Sequence, residues 1–259
     1  MPGAKPVLVF LPGGWHTPEV FAPTSTLLEK EGYTIQGVSF PTIGTELRNV
    51  QPQQSWDEDV QAVRDVLSKY SSEGRDIVLI THSYSGTVGS EACKGFARAD
   101  REGHGLAGGV VKLVYLAGFI LDVGTYCWEQ SGGKPINPKT TIIKGDLCYA
   151  ERELAKQWFY NECTPEQQQD LVSRLQSQAW KAFMSRTTYA AWRDIPGVYL
   201  ITENDHAISV PWQEAMLEGA KGHRFEVVKC DADHTPFVSR PAMTARVIRR
   251  AAGELIEDN

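Results

Sequence analysis

The segment from residue 76 to residue 99 constrains the fold of this chain most. An apolar, β-branched run over residues 77–81 predicts a buried strand, and small, helix-compatible residues follow over 87–99. The sequence changes abruptly at Ser83, between the two. A sharp strand-to-helix turn strains the backbone of its central residue and lifts that side chain above the sheet edge. From this segment alone, Ser83 is equally well interpreted as an exposed nucleophile or as an ordinary helix N-cap.

Composition and charge exclude several classes of protein. The chain has 259 residues, is 42% hydrophobic and carries a formal net charge of −6, so it shows no basic surface for nucleic acid or an acidic membrane. No run of about 18 apolar residues predicts a membrane span. Residues 1–6 lack the apolar core of a signal peptide, and five irregularly spaced cysteines indicate reduced thiols in a cytoplasmic protein. Because neither C-x-x-C nor H-E-x-x-H occurs, we expect no metal site.

Strands alternate with helices along most of the chain, which predicts an α/β fold with a mostly parallel sheet flanked by helices. The predicted strands cover residues 7–11, 33–40, 77–81, 110–119, 198–202 and 225–230. The predicted helices outside the middle of the chain cover residues 17–31, 55–70, 87–99 and 240–256, with a capping box at 55–58 and Ser239 as the last N-cap. Residues 1–122 and 195–259 are therefore expected to form one core.

The alternation breaks over residues 123–194, which we predict to form a helical cap, or lid, inserted into the core. Residues 124–146 are predicted to be loop, and helices are predicted over 151–160 and 165–180. The segment is rich in aromatic rings. Most of them are expected to bury the cap against the core, while a subset faces Ser83 and forms an apolar pocket. The four rings expected near a substrate are Trp128, Phe159, Tyr160 and Phe183.

A serine hydroxyl becomes a nucleophile only when a base takes its proton and a third group holds that base. Asp205 follows the fifth predicted strand and His234 follows the sixth. Because the carboxyl ends of parallel strands meet at one edge of a sheet, both side chains should lie near Ser83. We therefore predict a triad of Ser83, His234 and Asp205. Glu203 and Asp122, which also follow predicted strands, remain alternatives for the acid.

Acyl transfer also needs backbone N–H donors for the oxygen that becomes negative. We predict one donor from Tyr84, directly after Ser83 and at the start of the following helix. We predict the other from Gly14 in the loop after the first strand, because paired glycines let the backbone approach a substrate closely. Trp15 and His16 in the same loop are predicted to line the substrate pocket.

These motifs together resemble the α/β-hydrolase superfamily over nearly the whole chain. Within it, they are most similar to a branch of plant methylesterases, hydroxynitrile lyases and uncharacterised fungal and bacterial members. The matching segments are Pro12-Gly-Gly-Trp-His16, Thr81-His-Ser-Tyr-Ser-Gly86 and His234-Thr-Pro-Phe-Val-Ser-Arg-Pro241. Pro12, Thr81 and Ser85 depart from the branch, which has His, Gly and Gly there. Thr235 and Pro236 stand where hydroxynitrile lyases carry a lysine, which argues against cyanohydrin cleavage.

The resemblance implies a six-stranded core, a helical cap and no cofactor. The leading hypothesis is a serine hydrolase that acts on a small, largely apolar ester or lactone through an acyl-enzyme. The same Ser–His pair would also suit a lyase, a C–C bond cleavage or a cyclisation in natural-product biosynthesis. A third hypothesis is a receptor-like protein that binds a ligand without turnover. In each case we expect a small apolar or aromatic partner and no nucleic acid or membrane, and a homodimer stays open as the assembly state.

Overall fold

The structure is a computed structural model that describes residues 4–256, and its strands form two sheets. The strands are β1 (Val7–Leu11), β2 (Thr34–Gly37), β3 (Asp76–His82), β4 (Gly109–Leu116), β5 (Thr141–Lys144), β6 (Leu147–Ala150), β7 (Gln178–Ala179), β8 (Gly197–Thr202) and β9 (Phe225–Cys230). Six of them pair in parallel in the order β2-β1-β3-β4-β8-β9. This confirms the predicted six-stranded parallel sheet. The other three form a small antiparallel sheet, β5-β6-β7.

The helices cover both faces of the parallel sheet. They are α1 (Ala22–Lys30), α2 (Asp57–Ser72), α3 (Ser85–Ala92), α4 (Arg98–Gly103), α5 (Arg152–Trp158), α6 (Pro165–Arg174), α7 (Val210–Gly219), α8 (Pro236–Ser239) and α9 (Pro241–Ala251). Alternate side chains of the fully buried strand β1 enter two different cores. The core on one face is completed by α2, α3 and α7, and the other by α1, α8 and α9. Burial on both faces explains why the central strands β1, β3, β4 and β8 are mostly apolar runs.

Several predicted element boundaries are wrong. The predicted capping box fails because α2 begins at Asp57, and the Ser55 hydroxyl accepts from the Asp57 N–H (3.2 Å) instead of bonding further into the helix. Ser239 is not an N-cap: it ends α8, and its hydroxyl donates to Asp233 (2.7 Å). The predicted helix over 17–31 divides at Phe21 into a 3-10 turn and α1. These errors are local, and the six strands of the parallel sheet follow one another along the chain as predicted.

Residues 123–194, here called the cap segment, are not helical throughout. Part of the predicted loop forms a hairpin of β5 and β6, because Gly145 takes a left-handed φ of 60° that suits a two-residue turn. The second predicted helix ends at Arg174, and β7 follows it. No helix among residues 4–256 is long and apolar enough to cross a membrane. Residues 1–3, part of the segment from which the lack of a signal peptide was predicted, lie outside the described residues.

Candidate active site

Ser83 lies at the sharp turn between β3 and α3, and its backbone is left-handed, with φ of 52°. This conformation costs a non-glycine residue about 1–3 kcal/mol, so the surrounding structure has to hold it. The Ser83 carbonyl accepts hydrogen bonds from the N–H groups of Gly86 and Phe119, both at 3.0 Å. A Cβ on Gly86 would lie 2.4 Å from the Phe119 carbonyl oxygen, so glycine is needed for this close approach. The predicted strained turn at Ser83 is therefore present.

The two departures from the family pattern at this turn have structural compensations. The Thr81 methyl packs against α3 where Gly89 leaves room, since a Cβ there would lie 2.7 Å from it. The Ser85 hydroxyl accepts from the His82 N–H (2.8 Å) and lies 2.8 Å from the Leu11 carbonyl oxygen, to which it donates. Ser85 thus ties β1 to the turn, and neither substitution disturbs the backbone around Ser83.

Asp205 and His234 form a buried hydrogen-bonded pair at the carboxyl ends of β8 and β9. The distance from His234 Nδ1 to Asp205 Oδ2 is 2.8 Å, and the two residues are only 3% and 6% exposed. Asp205 Oδ2 also accepts from the Thr202 hydroxyl (2.9 Å), and Oδ1 accepts from the N–H groups of Ala207 and Ile208 (both 2.8 Å). With four donors on two oxygens, the carboxylate is fixed in place. It holds the proton on His234 Nδ1 and leaves Nε2 free to accept one.

The two alternative acids lie elsewhere. Glu203 and Asp122 are both exposed, and Asp122 pairs with Arg193 at the surface. Asp205 is the acid that contacts His234. Among the three candidates, only its position satisfies the geometry that a base-holding group requires.

His82 packs directly beside His234. Its Nε2 lies 2.9 Å from the His234 carbonyl oxygen, and the two rings are 4.6 Å apart. A carbonyl oxygen only accepts, so His82 Nε2 carries the proton. Burial, followed by the neighbouring His234 and His16, holds the pKa of His82 well below its usual value. His82 is therefore a neutral group that supports the backbone of His234.

Ser83 and His234 line one cavity, which has a volume of about 60 Å³. Gly14, Trp15, Tyr84, Trp128, Phe159 and Phe183, all predicted site residues, line it too. The lining residues that sequence reasoning did not place there are Phe119, Ile136, Asn137, Thr140, Thr141, Trp158, Ala207 and Ile208. Of these, Trp158 was visible as one of the many rings of the cap segment. The others lie in loops or at strand ends, where sequence carries no signal of side-chain direction.

Stacked rings form the cap side of this cavity. Phe183 lies 4.9 Å from Trp128 with the planes 8° apart, and 4.8 Å from Tyr84 of the turn. On the other side, Trp15 stacks on Phe159 at 5.9 Å. These parts of the cavity wall are thus apolar, aromatic and closely packed.

His16 and Tyr160 are buried but are not among the residues that line the cavity. His16 Nδ1 donates to the Gly14 carbonyl oxygen (2.6 Å), so Nε2 accepts from the Tyr160 hydroxyl (2.6 Å). Burial lowers the pKa of His16 to about 4. The pair joins the loop after β1 to the cap segment through a neutral imidazole.

The two residues predicted to supply backbone donors lie at the same cavity. Gly14 and Tyr84 both line it, and the N–H of neither bonds to another group within residues 4–256. Tyr84 precedes the first residue of α3, where helix geometry leaves N–H groups unpaired. An unbonded pair of amides beside a serine hydroxyl suits an oxygen that gains negative charge. In the described part of the chain, no group of three or more His, Cys, Asp or Glu side chains is placed to hold a metal.

Comparison with known proteins places the chain in a family and identifies structures with the same fold. The sequence profile described as "Alpha/beta hydrolase family" matches residues 8–247. The chain is 35% identical over 256 residues to alpha/beta hydrolase nvfD of Aspergillus novofumigatus (strain IBT 16806), covering 98% of this chain and 99% of that protein. The structure of methylesterase MES16 from Arabidopsis matches with a TM-score of 0.72 at 20% identity, over 96% of this chain and all of that one. Polyneuridine aldehyde esterase matches with a TM-score of 0.75 at 13% identity, over 95% and 99%. These structures share the fold of this chain, and the predicted fold class is confirmed.

Proposed function

Because the chain belongs to the alpha/beta hydrolase family, we propose that it is a serine hydrolase that cleaves a small, largely apolar ester or lactone. One observation carries the proposal. His234, which is hydrogen-bonded to the buried Asp205, and the strained Ser83 line a single cavity. A nucleophile, a base and a group that orients the base are the minimum set for acyl transfer by serine.

The proposed reaction has two steps. In the first, the Ser83 Oγ–H proton passes to His234 Nε2 as Oγ attacks the carbonyl carbon, and the carbonyl oxygen becomes negative beside the N–H groups of Gly14 and Tyr84. The bond to the leaving alcohol then breaks, and His234 returns the proton to that alcohol. In the second step, water attacks the acyl-enzyme with His234 as base, which releases the acid and restores Ser83. Asp205 orients His234 and stabilises its charged form throughout.

The cavity lining supports a neutral, apolar substrate. Among its described lining residues there is no Lys, Arg, Asp or Glu, and most side chains are aromatic or aliphatic. Its volume of about 60 Å³ compares with the 10–15 Å³ that one water needs, so it accepts a small acyl or alkoxy group as it stands. Asn137, Thr140 and Thr141 supply the remaining polar groups of the wall. We therefore propose Trp15, Trp128, Trp158, Phe159 and Phe183 as substrate contacts.

Covalent labelling tests the proposal. A fluorophosphonate probe should add one adduct per chain, and peptide mapping should place it on Ser83. Hydrolysis of p-nitrophenyl acetate should show a burst that corresponds to acyl-enzyme formation. Ligand-dependent stabilisation without burst or adduct would instead support the receptor-like hypothesis. Turnover of a candidate substrate without an acyl-enzyme would support lyase or cyclase chemistry.

A further inference from the structure

The backbone of Trp15, next to Gly14, is held by the cap segment from both sides. Its N–H donates to the side-chain oxygen of Gln178 (3.0 Å), and its carbonyl accepts from the Gln176 N–H (3.0 Å). Trp15 also has a left-handed φ of 65°, which a residue with a side chain keeps only when its surroundings fix it. The loop that carries Gly14 is therefore shaped by residues about 160 positions away in the sequence.

Gln178 is itself the end of a buried polar chain. Because the Trp15 N–H can only donate, the Gln178 amide oxygen faces it and the amide nitrogen faces the Thr42 hydroxyl (3.5 Å). That hydroxyl donates to Asp59 Oδ2 (2.7 Å), and the Thr42 N–H donates to Oδ1 (2.9 Å). Gln178, Thr42 and Asp59 are all fully buried. Buried polar side chains with consistent donors and acceptors fix one arrangement of the elements that carry them.

The same carboxylate also holds the residue after Ser83. The Tyr84 hydroxyl donates to Asp59 Oδ2 (3.0 Å). Burial raises the pKa of Asp59 to about 7, although the hydrogen bonds from Thr42 and Tyr84 act in the opposite direction. Asp59 on α2 thus connects, through side chains alone, to both backbone segments that carry the cavity-lining residues Gly14 and Tyr84.

We propose that Gln178, Thr42 and Asp59 are positioning residues that set the spacing of the Gly14 and Tyr84 N–H groups, so that seating of the cap segment on the core completes the oxyanion-binding site. The inference rests on the proposed function. Contacts of the loop agree with it: a Cβ on Gly14 would lie 3.0 Å from Gln178 Oε1, so the amide packs directly against that residue. The β7 strand is also bonded to the loop around Thr42, where the Ala179 N–H donates to the Thr42 carbonyl (2.9 Å).

Replacement of Thr42 breaks the chain of hydrogen bonds with little change in shape. Thr42→Val should lower kcat for p-nitrophenyl acetate and the rate of fluorophosphonate labelling, each roughly tenfold, with KM changed less than about twofold. Loss of one oxyanion donor typically costs 10²–10³-fold, and a displaced donor costs less. Thr42→Ser keeps the hydroxyl, so both rates should stay near their wild-type values. Gln178→Leu should lower both rates by about 10- to 100-fold, because Gln178 touches the loop directly.

Thr244→Val is the matched control. Thr244 on α9 is equally buried and donates one hydrogen bond to the Pro236 carbonyl (2.9 Å), away from the cavity. Thr244→Val should lower the melting temperature by about as much as Thr42→Val does, while kcat stays at the wild-type value. A Thr42→Val variant that loses stability but keeps kcat and labelling overturns the inference alone. A wild-type chain that is neither labelled nor active overturns the proposed function, and the inference with it.

Discussion

The side of the cavity formed by the core, here called the core wall, and the side formed by the cap segment, here called the cap wall, are held in place by different interactions. On the core wall, hydrogen bonds of 2.8 to 3.0 Å fix Asp205, His234 and the backbone of Ser83. On the cap wall, Phe183 and Trp128 are held by stacked ring contacts with centroids 4.9 Å apart, which are stabilised mainly by burial of apolar surface and constrain atom positions less than hydrogen bonds do. Proton transfer needs atoms placed to a few tenths of an ångström, whereas binding an apolar group needs only matching shape. The core wall is therefore suited to chemistry and the rings of the cap wall to the choice of substrate, whereas Gln178 of the cap segment acts through the loop that carries Gly14.

Among the tests of this difference, Ser83→Ala should have the largest effect on activity. If the core wall carries the chemistry, turnover of p-nitrophenyl acetate should fall by about 10⁴–10⁶-fold. The melting temperature should change little, because the variant removes only a hydroxyl that lines a cavity. Enzyme kinetics and calorimetry measure the two effects. If more than about a tenth of the activity survived, Ser83 would not be the nucleophile.

Asp205→Asn tests whether the hydrogen bond to His234 matters as much as the nucleophile. A neutral amide no longer fixes the proton on His234 Nδ1, and kcat should fall by roughly 10³–10⁴-fold. Asp122→Asn is the matched control, because Asp122 is exposed and pairs with Arg193 at the surface. It should keep kcat within about twofold of wild type. The assignment of the acid is wrong if Asp122→Asn is the more damaging variant.

The buried contact between the loop after β1 and the cap segment should make the stability of the fold sensitive to acid. His16, hydrogen-bonded to Tyr160 of the cap segment and facing His82 and His234, has its pKa lowered by burial from 6.5 to about 4. The unfolded chain therefore binds more protons between these values. The stability that the neutral His16 contributes to the folded state is fully present above pH 6.5. It is lost as the pH falls toward 4, which lowers the free energy of unfolding by up to about 3 kcal/mol.

Chemical denaturation of wild type and His16→Gln at pH 7 and pH 5 measures this contribution. Stability should fall less between the two pH values in the variant. The stability of His104→Gln, a control at an exposed histidine, should fall between the two pH values as much as that of wild type does. Parallel losses in wild type and His16→Gln would show that His16 is not a buried neutral group.

The smallest expected effect belongs to the cap wall. Trp158 is half-buried and lines the cavity, so Trp158→Ala should raise KM for a bulky aromatic ester by on the order of tenfold, with kcat changed less than about threefold. KM for p-nitrophenyl acetate, measured on the same preparation, should stay near wild type. A loss confined to kcat would mean that the lining rings of the cap wall take part in the chemistry, and the separation of roles between these rings and the core wall would be wrong.

Sequence patterns predicted the core far better than the cap segment. The four central strands of the parallel sheet, β1, β3, β4 and β8, are apolar runs because helices cover both faces, and such runs are recognisable without tertiary information. β5 lies within residues 124–146, which their content of Gly, Pro and Lys predicts to be loop, and both strands of the hairpin are only four residues long. Pairing with each other and with β7, and not propensity, makes these segments strands.

The sequence by itself determined the order of the parallel strands along the chain. It also determined that Ser83, Asp205 and His234 each lie just after the end of a strand. Parallel strands bring their carboxyl ends to one edge, so chain order alone predicts that the three residues meet. Tertiary structure alone decided that Asp205, and not Glu203, contacts His234. It also decided that Gln178 reaches the loop of Trp15. These contacts depend on the direction of single side chains across elements distant in sequence, which no local pattern encodes.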